Sequence, residues 1–596
     1  MVLLLALAVG LVLADSSVVT LALPDILREL DTTVGTVAWV LIAFNLALAL
    51  AALPGSRLMR GRAREAYAAG LVAFALASAA CAAAQSMGVL IAARSAQGVF
   101  GAVVVAAALD LLAARTGGRR AIAVWAGAGV LGAAVGPALG GFLTEAFSWK
   151  AMFALQAPVA LVALLAARGV PRPAVTAAPE AGTRPPLAPL LALALLSAAL
   201  AAALFLLVVL IIEGWQHSPG VAAVTVSLMP VAALLAARWA RDREGLGSAL
   251  AGCVLVAGGL AALGLLPGAG PVWTLAPQLA IGLGLGLALA PLVRVTVGGS
   301  ADHAPAEPAA WTISARHAGI VAGLLVLTPI FTAGLDHARL PAEQAGVARL
   351  LDAPLSLSTK IDLARALGAQ VRSADTALPD LGRGFDAVKV SGAERPAVAR
   401  LRADLGDELD RAGTHAFSAA FLAAALLALL AAGAVAVAVR SARTPAAADG
   451  APEANGSRLT PGTPLATAVT SAAALAALLV AVYVALGGGS YKPHAVADPC
   501  APRARPAVDR PQRALLAALD GGACKLHISR EALLLPLVDG KRPPGVSDSE
   551  LADALRTGVD RARDEGALSG FEATALKVAL STRGTAAILG LLLDAG

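Results

Sequence analysis

The sequence predicts an all-α protein that crosses a membrane many times and carries two polar regions late in the chain. Three observations predict it. Of 596 residues, 58% are hydrophobic and 14% charged, against about 45–50% and about 25% in an average soluble domain. Apolar runs of about 20 residues, the length that spans a bilayer as a helix, recur thirteen times. Basic residues concentrate in alternate loops between those runs. The same arithmetic excludes disordered, collagenous and disulfide-scaffold proteins. The net charge of +6 is dispersed in short clusters without an aromatic-rich basic patch. It therefore reads as basic loops held at a membrane face, with a lipid bilayer and no nucleic acid as partner.

In chain order, the runs lie at about 1–24, 37–56, 66–85, 89–114, 121–143, 151–168, 188–211, 222–240, 246–267, 273–297, 310–334, 413–440 and 465–487. The first has no basic segment before it and is read as a retained helix rather than a removable signal. Six runs make an N-terminal half, 1–168, and six a C-terminal half, 188–440, joined by a Pro-rich cytoplasmic linker, 169–187. With the N-terminus in the cytoplasm, the inside segments carry Arg57, Arg60, Arg62, Arg64, Arg115, Arg119, Arg120, Arg168, Arg172, Arg184, Arg238, Arg241, Arg243, Arg294, Arg440, Arg443 and Arg458. The short outside loops carry only Arg28 and Lys150, so seventeen face two and the orientation follows.

Residues 335–412 then fall outside as a helical insert with eleven Lys/Arg and twelve Asp/Glu, a near-neutral solvated surface. Residues 441–464 read as a cytoplasmic Pro/Ala/Gly/Ser linker, where the Asn455 sequon goes unused. The thirteenth span, 465–487, returns the chain outside, and 488–596 becomes an exported helical domain with a possible envelope partner. Cys500 and Cys524 lie there, and an oxidising exterior favours a disulfide between them; the alternative is two free thiols. Cys81 and Cys253 lie in apolar runs as small packing residues.

Several spans hold recognisable residues. The first reads Asp15-Ser-Ser-Val-Val-Thr-Leu-Ala-Leu-Pro24; the fourth holds Arg94, Gln97, Gly98, Gly101 and Ala102. The fifth holds Gly132, Gly136, Pro137, Gly140 and Gly141, and Ser148-Trp149 opens the sixth. These resemble the major facilitator superfamily, and within it the multidrug:proton antiporter branch (QacA/EmrB-like), over about residues 1–440. The resemblance implies a bundle of six plus six helices; the thirteenth span and the exported domain are additions to it. It also implies that the glycine–proline pattern is that of antiporters and that the arginine matched by Arg94 is linked to proton coupling. In the second half it rests on Gly214-Trp-Gln-His-Ser218-Pro219-Gly220 and Pro230. In the loop after the second span, Gly55, Arg60 and Arg64 match the family's charged latch, whereas Met59 replaces its aspartate and Arg62 its glycine.

Charges within the apolar runs carry the chemistry. A charge at bilayer depth costs about 2.5–3.5 kcal/mol on insertion scales, so Asp15 needs a cavity or a partner. A carboxylate moved between a desolvated and a cationic setting can load and release a proton. Asp15 is accordingly read as a proton-coupling or substrate-cation site; the alternative is an interhelical hydrogen bond through Ser16 and Ser17. Arg94 supplies a fixed charge and Gln97 shares its face; the alternative is a structural ion pair, for instance with Asp15. On this reading Asp15 and Arg94 face a central cavity, and the mechanism in this form fails if they face lipid or sealed packing instead. His317, next to Arg316 in the eleventh span, joins the coupling pathway or is a satisfied core histidine. Glycines at four-residue spacing, Gly132, Gly136 and Gly140, with the bend at Pro137, make a gating face or simple tight packing. Glu213, ending the seventh span, attracts a cationic solute or is solvated.

No phosphate-cradling loop or metal-ligand spacing appears, so no enzyme activity, cofactor or metal is expected. The expected function is secondary active transport at the plasma (inner) membrane: proton-coupled export of small lipophilic or cationic compounds by alternating access. The alternatives are a non-transporting sensor or envelope anchor on a transporter scaffold, and proton-linked solute uptake.

Overall fold

In the computed structural model the described residues are 1–59, 61–168, 186–239, 245–297, 306–373, 379–441, 464–502, 508–538 and 541–582. The two linker expectations fall largely outside them, as do Asn455 and the loop residue Arg60. Thirteen helices among them are long and apolar enough to cross a membrane. The chain is an all-α polytopic membrane protein of six plus six spans with one more behind them.

The first half runs α1 (Val2–Thr20), α2 (Leu23–Glu29), α3 (Val34–Leu58), α4 (Ala63–Ala82), α5 (Met87–Thr116), α6 (Gly118–Ala146) and α7 (Trp149–Ala163), the last ending in a 3₁₀ turn, Leu164–Ala167. The first run, read as one span to residue 24, is two helices. Pro24 sits in the first turn of α2, where its missing N–H costs nothing, and its ring excludes continuation from α1. Thr33 and Ser86 cap α3 and α5 by accepting the Thr36 and Val89 backbone N–H groups.

The second half runs α8 (Leu187–Val209) into a π turn (Leu210–Gly214), then α9 (Pro219–Val226), α10 (Leu228–Trp239), α11 (Leu246–Gly264), α12 (Val272–Val297), α13 (Ala306–Asp352), α14 (Leu357–Ser373), α15 (Leu381–Asp386) and α16 (Arg395–Ser441). The eighth span is broken between α9 and α10 ahead of Pro230, for the reason that breaks α1 from α2. The helices α13 and α16 are 47 residues each, far longer than the apolar runs inside them. Hydropathy marks where a span ends; Ala, Leu, Arg and Glu carry the helix onward regardless. The thirteenth span is α17 (Pro464–Ala485), followed by α18 (Arg510–Lys525), α19 (Arg530–Val538), α20 (Asp548–Asp564) and α21 (Gly570–Thr582).

These helices form two compact units. The membrane unit comprises Met1–Gly334 and Ala416–Tyr491. Its helices close on one another through small residues, as expected where lipid gives no hydrophobic drive to pair. A Cβ at Gly98 of α5 would lie 2.3 Å from the Phe44 carbonyl oxygen of α3. Gly252 of α11 and Gly284 of α12 meet in the same way, as do Gly319 and Gly323 of α13 with the carbonyls of Ala194 and Ala198 of α8. The added α17 lies on α11, with Ala476 against Gly258. The halves meet where α6 touches α9 and α10 and where α1 touches α8.

The other, polar unit comprises Leu335–His415 and Lys492–Gly596. The insert and the C-terminal segment thus fold together. The Arg530 guanidinium grips Asp352 with two hydrogen bonds of 2.9 and 3.1 Å, and Gln512 donates to the Leu355 carbonyl at 3.1 Å. His494 Nδ1 lies 2.5 Å from the buried Glu408 carboxylate. Leu350, Leu363, Phe385 and Leu401 form one core, and Leu519, Leu533 and Leu551 another. Cys500 is bonded to Cys524 at the end of α18.

Candidate functional site

Asp15 and Arg94 are brought together. Arg94 Nη1 donates to Asp15 Oδ2 at 2.5 Å and to Gln97 Oε1 at 2.6 Å, and both charged side chains are fully buried. Arg94 Nε also donates to the Val40 carbonyl of α3 at 3.0 Å, and the guanidinium lies 4.3 Å from the Phe44 ring centroid and 5.6 Å from that of Phe153. Such a cation over aromatic faces, with its carboxylate partner, is how a guanidinium tolerates an apolar interior. Its Nη2 has no hydrogen-bond partner among the described residues.

The other carboxylate oxygen accepts from Gln156 of α7 at 2.8 Å. Gln97 Nε2 donates to Gln156 Oε1 at 2.6 Å and to Ser78 Oγ of α4 at 2.9 Å. The result is a closed polar cluster drawn from α1, α4, α5 and α7, with α3 as one wall. Asp15, Arg94 and Gln97, expected to line a central cavity, instead face sealed packing in this conformation. Gln156 and Ser78 belong to this cluster and Asn45 bonds beside it to Ser16, and none of the three was singled out from the sequence. Each is a polar residue inside an apolar run, the signal that marked Asp15.

His317 is not in that cluster but is linked to it. Ser16, beside Asp15, donates to Asn45 Oδ1 at 3.2 Å, and His317 Nδ1 of α13 lies 2.7 Å from the same oxygen. Asn45 Nδ2 donates to the Leu41 carbonyl at 2.8 Å, which leaves Oδ1 as the acceptor. His317 is therefore the Nδ1–H donor, and its buried Nε2 has no partner among the described residues. This short chain crosses from the first half to the second. Ser314 of α13 crosses beside it, donating to the Ala49 carbonyl at 2.8 Å.

At the end of α3, Arg57 pairs with Glu307 of α13 at 2.6 Å, again across the halves. Gly55 lies in the last turn of α3 and Arg64 in the first turn of α4. At this end an ion pair between halves is thus made by Arg57, an arginine beside the family-matched positions. At the opposite end of the bundle Arg28 of α2 approaches Glu213 at 4.0 Å.

The glycine face of α6 lies directly on α1. A Cβ at Gly132 would lie 2.3 Å from the Gly10 carbonyl oxygen, at Gly136 2.1 Å from Ser17 Oγ, and at Gly140 2.3 Å from the Val18 carbonyl oxygen. Gly141 points elsewhere: its Cβ would lie 2.2 Å from that of Ala223 on α9, in the other half. Pro137 is buried between them. So α6 packs on its own half with one stripe and on the opposite half with the next residue.

The fold and this site define a class: a two-half helical membrane bundle with a buried ion pair in the first half and small-residue contacts between halves. Residues 5–324 match the family model of the Major Facilitator Superfamily, and the chain belongs to that family. It is 41% identical over 168 residues to the puromycin resistance protein pur8 of Streptomyces alboniger, covering 27% of this chain and 33% of that protein. It is 37% identical over 169 residues to the multidrug efflux pump LfrA of Mycolicibacterium smegmatis, covering 27% of this chain and 33% of that protein. The match thus spans about a third of the length of these curated relatives. Among solved structures, a bacterial homologue of the human lysosomal transporter Spinster, inward-facing and occupied, is 15% identical with a TM-score of 0.49, covering 74% of this chain and 96% of that one.

Proposed function

We propose that the chain is a secondary active transporter that exports small lipophilic compounds from the cytoplasm, driven by protons entering the cell. The observation that carries this reading is the buried Asp15–Arg94 pair together with its link through Ser16 and Asn45 to His317 of the other half. The sealed packing alters the part assigned to Asp15. It does not line an open path in this conformation; it locks α1 to α5 while it is charged. Protonation removes the charge that Arg94 neutralises and leaves a buried, uncompensated guanidinium, which costs several kcal/mol, of order 3–5. That cost favours a second arrangement in which the pair has opened and Arg94 meets water or solute.

Parting of α3 from α13 breaks the Asn45–His317 and Arg57–Glu307 contacts in the same movement, and Asn45 also holds Ser16 beside Asp15, which sets the proton-sensitive cluster next to the seam between halves. The glycine face of α6 serves as the gate, since it is shaped to both halves. The N-terminus is placed in the cytoplasm and the polar unit outside, on the distribution of arginines between loops. The names of the relatives, resistance and efflux proteins, support export as the direction. The test uses proteoliposomes holding the full chain and an entrapped pH dye. Adding a lipophilic cargo is expected to move protons opposite to the cargo, and cargo flux without proton movement would contradict the coupling.

A further inference from the structure

Arg316 is a further charge inside the membrane unit, outside the polar cluster of Asp15 and Arg94. It is part-buried, and unlike Arg94 it has no hydrogen bond or ion pair among the described residues. Its place on α13 follows from its neighbours. Gly319 and Gly323 mark the stripe that packs on Ala194 and Ala198 of α8. Ser314 and His317 mark the stripe that bonds to α3 of the other half. At about 100° per residue, Arg316 lies between those two stripes, away from the exposed side of the helix at Trp311, Leu325 and Val326. It therefore points inward along the seam where the two halves meet.

Its depth follows as well. The adjacent His317 bonds to Asn45, close to the middle of α3, which runs from Val34 to Leu58. Headgroups at the bilayer surfaces are then about 15 Å away in either direction. The carboxylate of the adjoining polar chain, Asp15, is already held by Arg94 and Gln156. A guanidinium at mid-depth with no counter-charge among the described residues is costly to keep and cannot discharge itself by losing a proton. It is retained at low cost only if a ligand supplies the anion, for which its planar fork of donors is suited.

We infer that Arg316 is the charge-selecting residue of the transport path, and that the exported solute carries an anionic group, a carboxylate, sulfonate or phosphate, on a lipophilic body. This rests on the transport reading above and sharpens it, reversing the charge expected from an apolar cavity alone. The depth favours an anionic solute over a lipid headgroup.

The test compares two amphiphilic probes in proteoliposomes of the full chain under an imposed pH gradient: anilinonaphthalene sulfonate, an anion, and ethidium, a cation. The wild type is expected to move the sulfonate faster than ethidium. Arg316→Gln is expected to lower the sulfonate-to-ethidium flux ratio by about tenfold or more, the loss of one charge-assisted contact. Arg316→Lys should keep much of the ratio. Added phospholipid analogues should not compete with the sulfonate, and competition would assign Arg316 to lipid. A wild type that prefers ethidium, or an Arg316→Gln protein with the wild-type ratio, overturns the inference while transport stands. If Arg316→Gln fails to fold, the wild-type preference and the lysine variant still decide. A wild type that moves neither probe and no protons contradicts the transport reading itself.

Discussion

At the scale of single residues, the account rests on how a membrane helix accommodates a charge. Asp15 and Arg94 do so together, with Gln97 and Gln156 filling the remaining donor and acceptor positions. Arg94→Gln keeps the approximate length of the side chain but strips Asp15 of its counter-charge. The thermal unfolding of the detergent-solubilised protein should show a loss of about 3–5 kcal/mol, the cost of orphaning one member of a buried pair. An unchanged unfolding temperature would mean that the pair is not buried as described. Asp15 and Arg94 were legible in the sequence as charges in apolar runs, and their pairing was one of the readings weighed. Gln156, which donates to Asp15, and Ser78 and Asn45, which bond to Gln97 and to Ser16 and His317, were not picked out, because a neutral polar residue in a span is costly only once its neighbours are known. The ion pair of Arg57 with Glu307 joins residues 250 positions apart, a distance at which no local pattern operates.

At the scale of elements, helix positions were legible and helix ends were not. Thirteen apolar runs became thirteen spans because length and hydropathy are set by the bilayer itself. Pro24 and Pro230 divided two of them, and α13 and α16 ran far past their apolar portions. The glycine spacing of α6 indicated a small-residue stripe; which helix it meets came only with the structure. Substituting that stripe tests its closeness. In Gly140→Ala the new methyl would lie 2.3 Å from the Val18 carbonyl oxygen, whereas at Gly433 of α16 nothing lies within 4 Å. Gly140→Ala is expected to destabilise the protein by about 1–3 kcal/mol, as overpacking does. Gly433→Ala should leave stability unchanged or slightly raised. Equal unfolding temperatures for the two variants would remove the close α1–α6 packing from the account.

At the scale of the whole molecule, the chain adds to a family bundle a polar unit made of two segments far apart in sequence, 335–415 and 492–596. The composition indicated two separate polar regions; that they share one unit was not legible, since it depends on pairs such as Arg530 with Asp352. The disulfide, separated by 24 positions, closes a loop whose chain-entropy contribution is about 3 kcal/mol. If the polar unit lies outside the cell, as proposed, a membrane-impermeant reductant applied to intact cells exposes Cys500 and Cys524 to an impermeant thiol label. Labelling only after the membrane is opened would invert the proposed orientation.

The most direct measurement compares the wild type with Asp15→Asn in proteoliposomes, following cargo and proton fluxes together. Asparagine keeps the size and the hydrogen-bonding oxygen of the side chain but cannot cycle a proton. The account predicts that Asp15→Asn loses at least about tenfold of its proton-driven cargo flux, and that the remainder no longer responds to the pH gradient. Proton-coupled export at the wild-type rate in Asp15→Asn would contradict it.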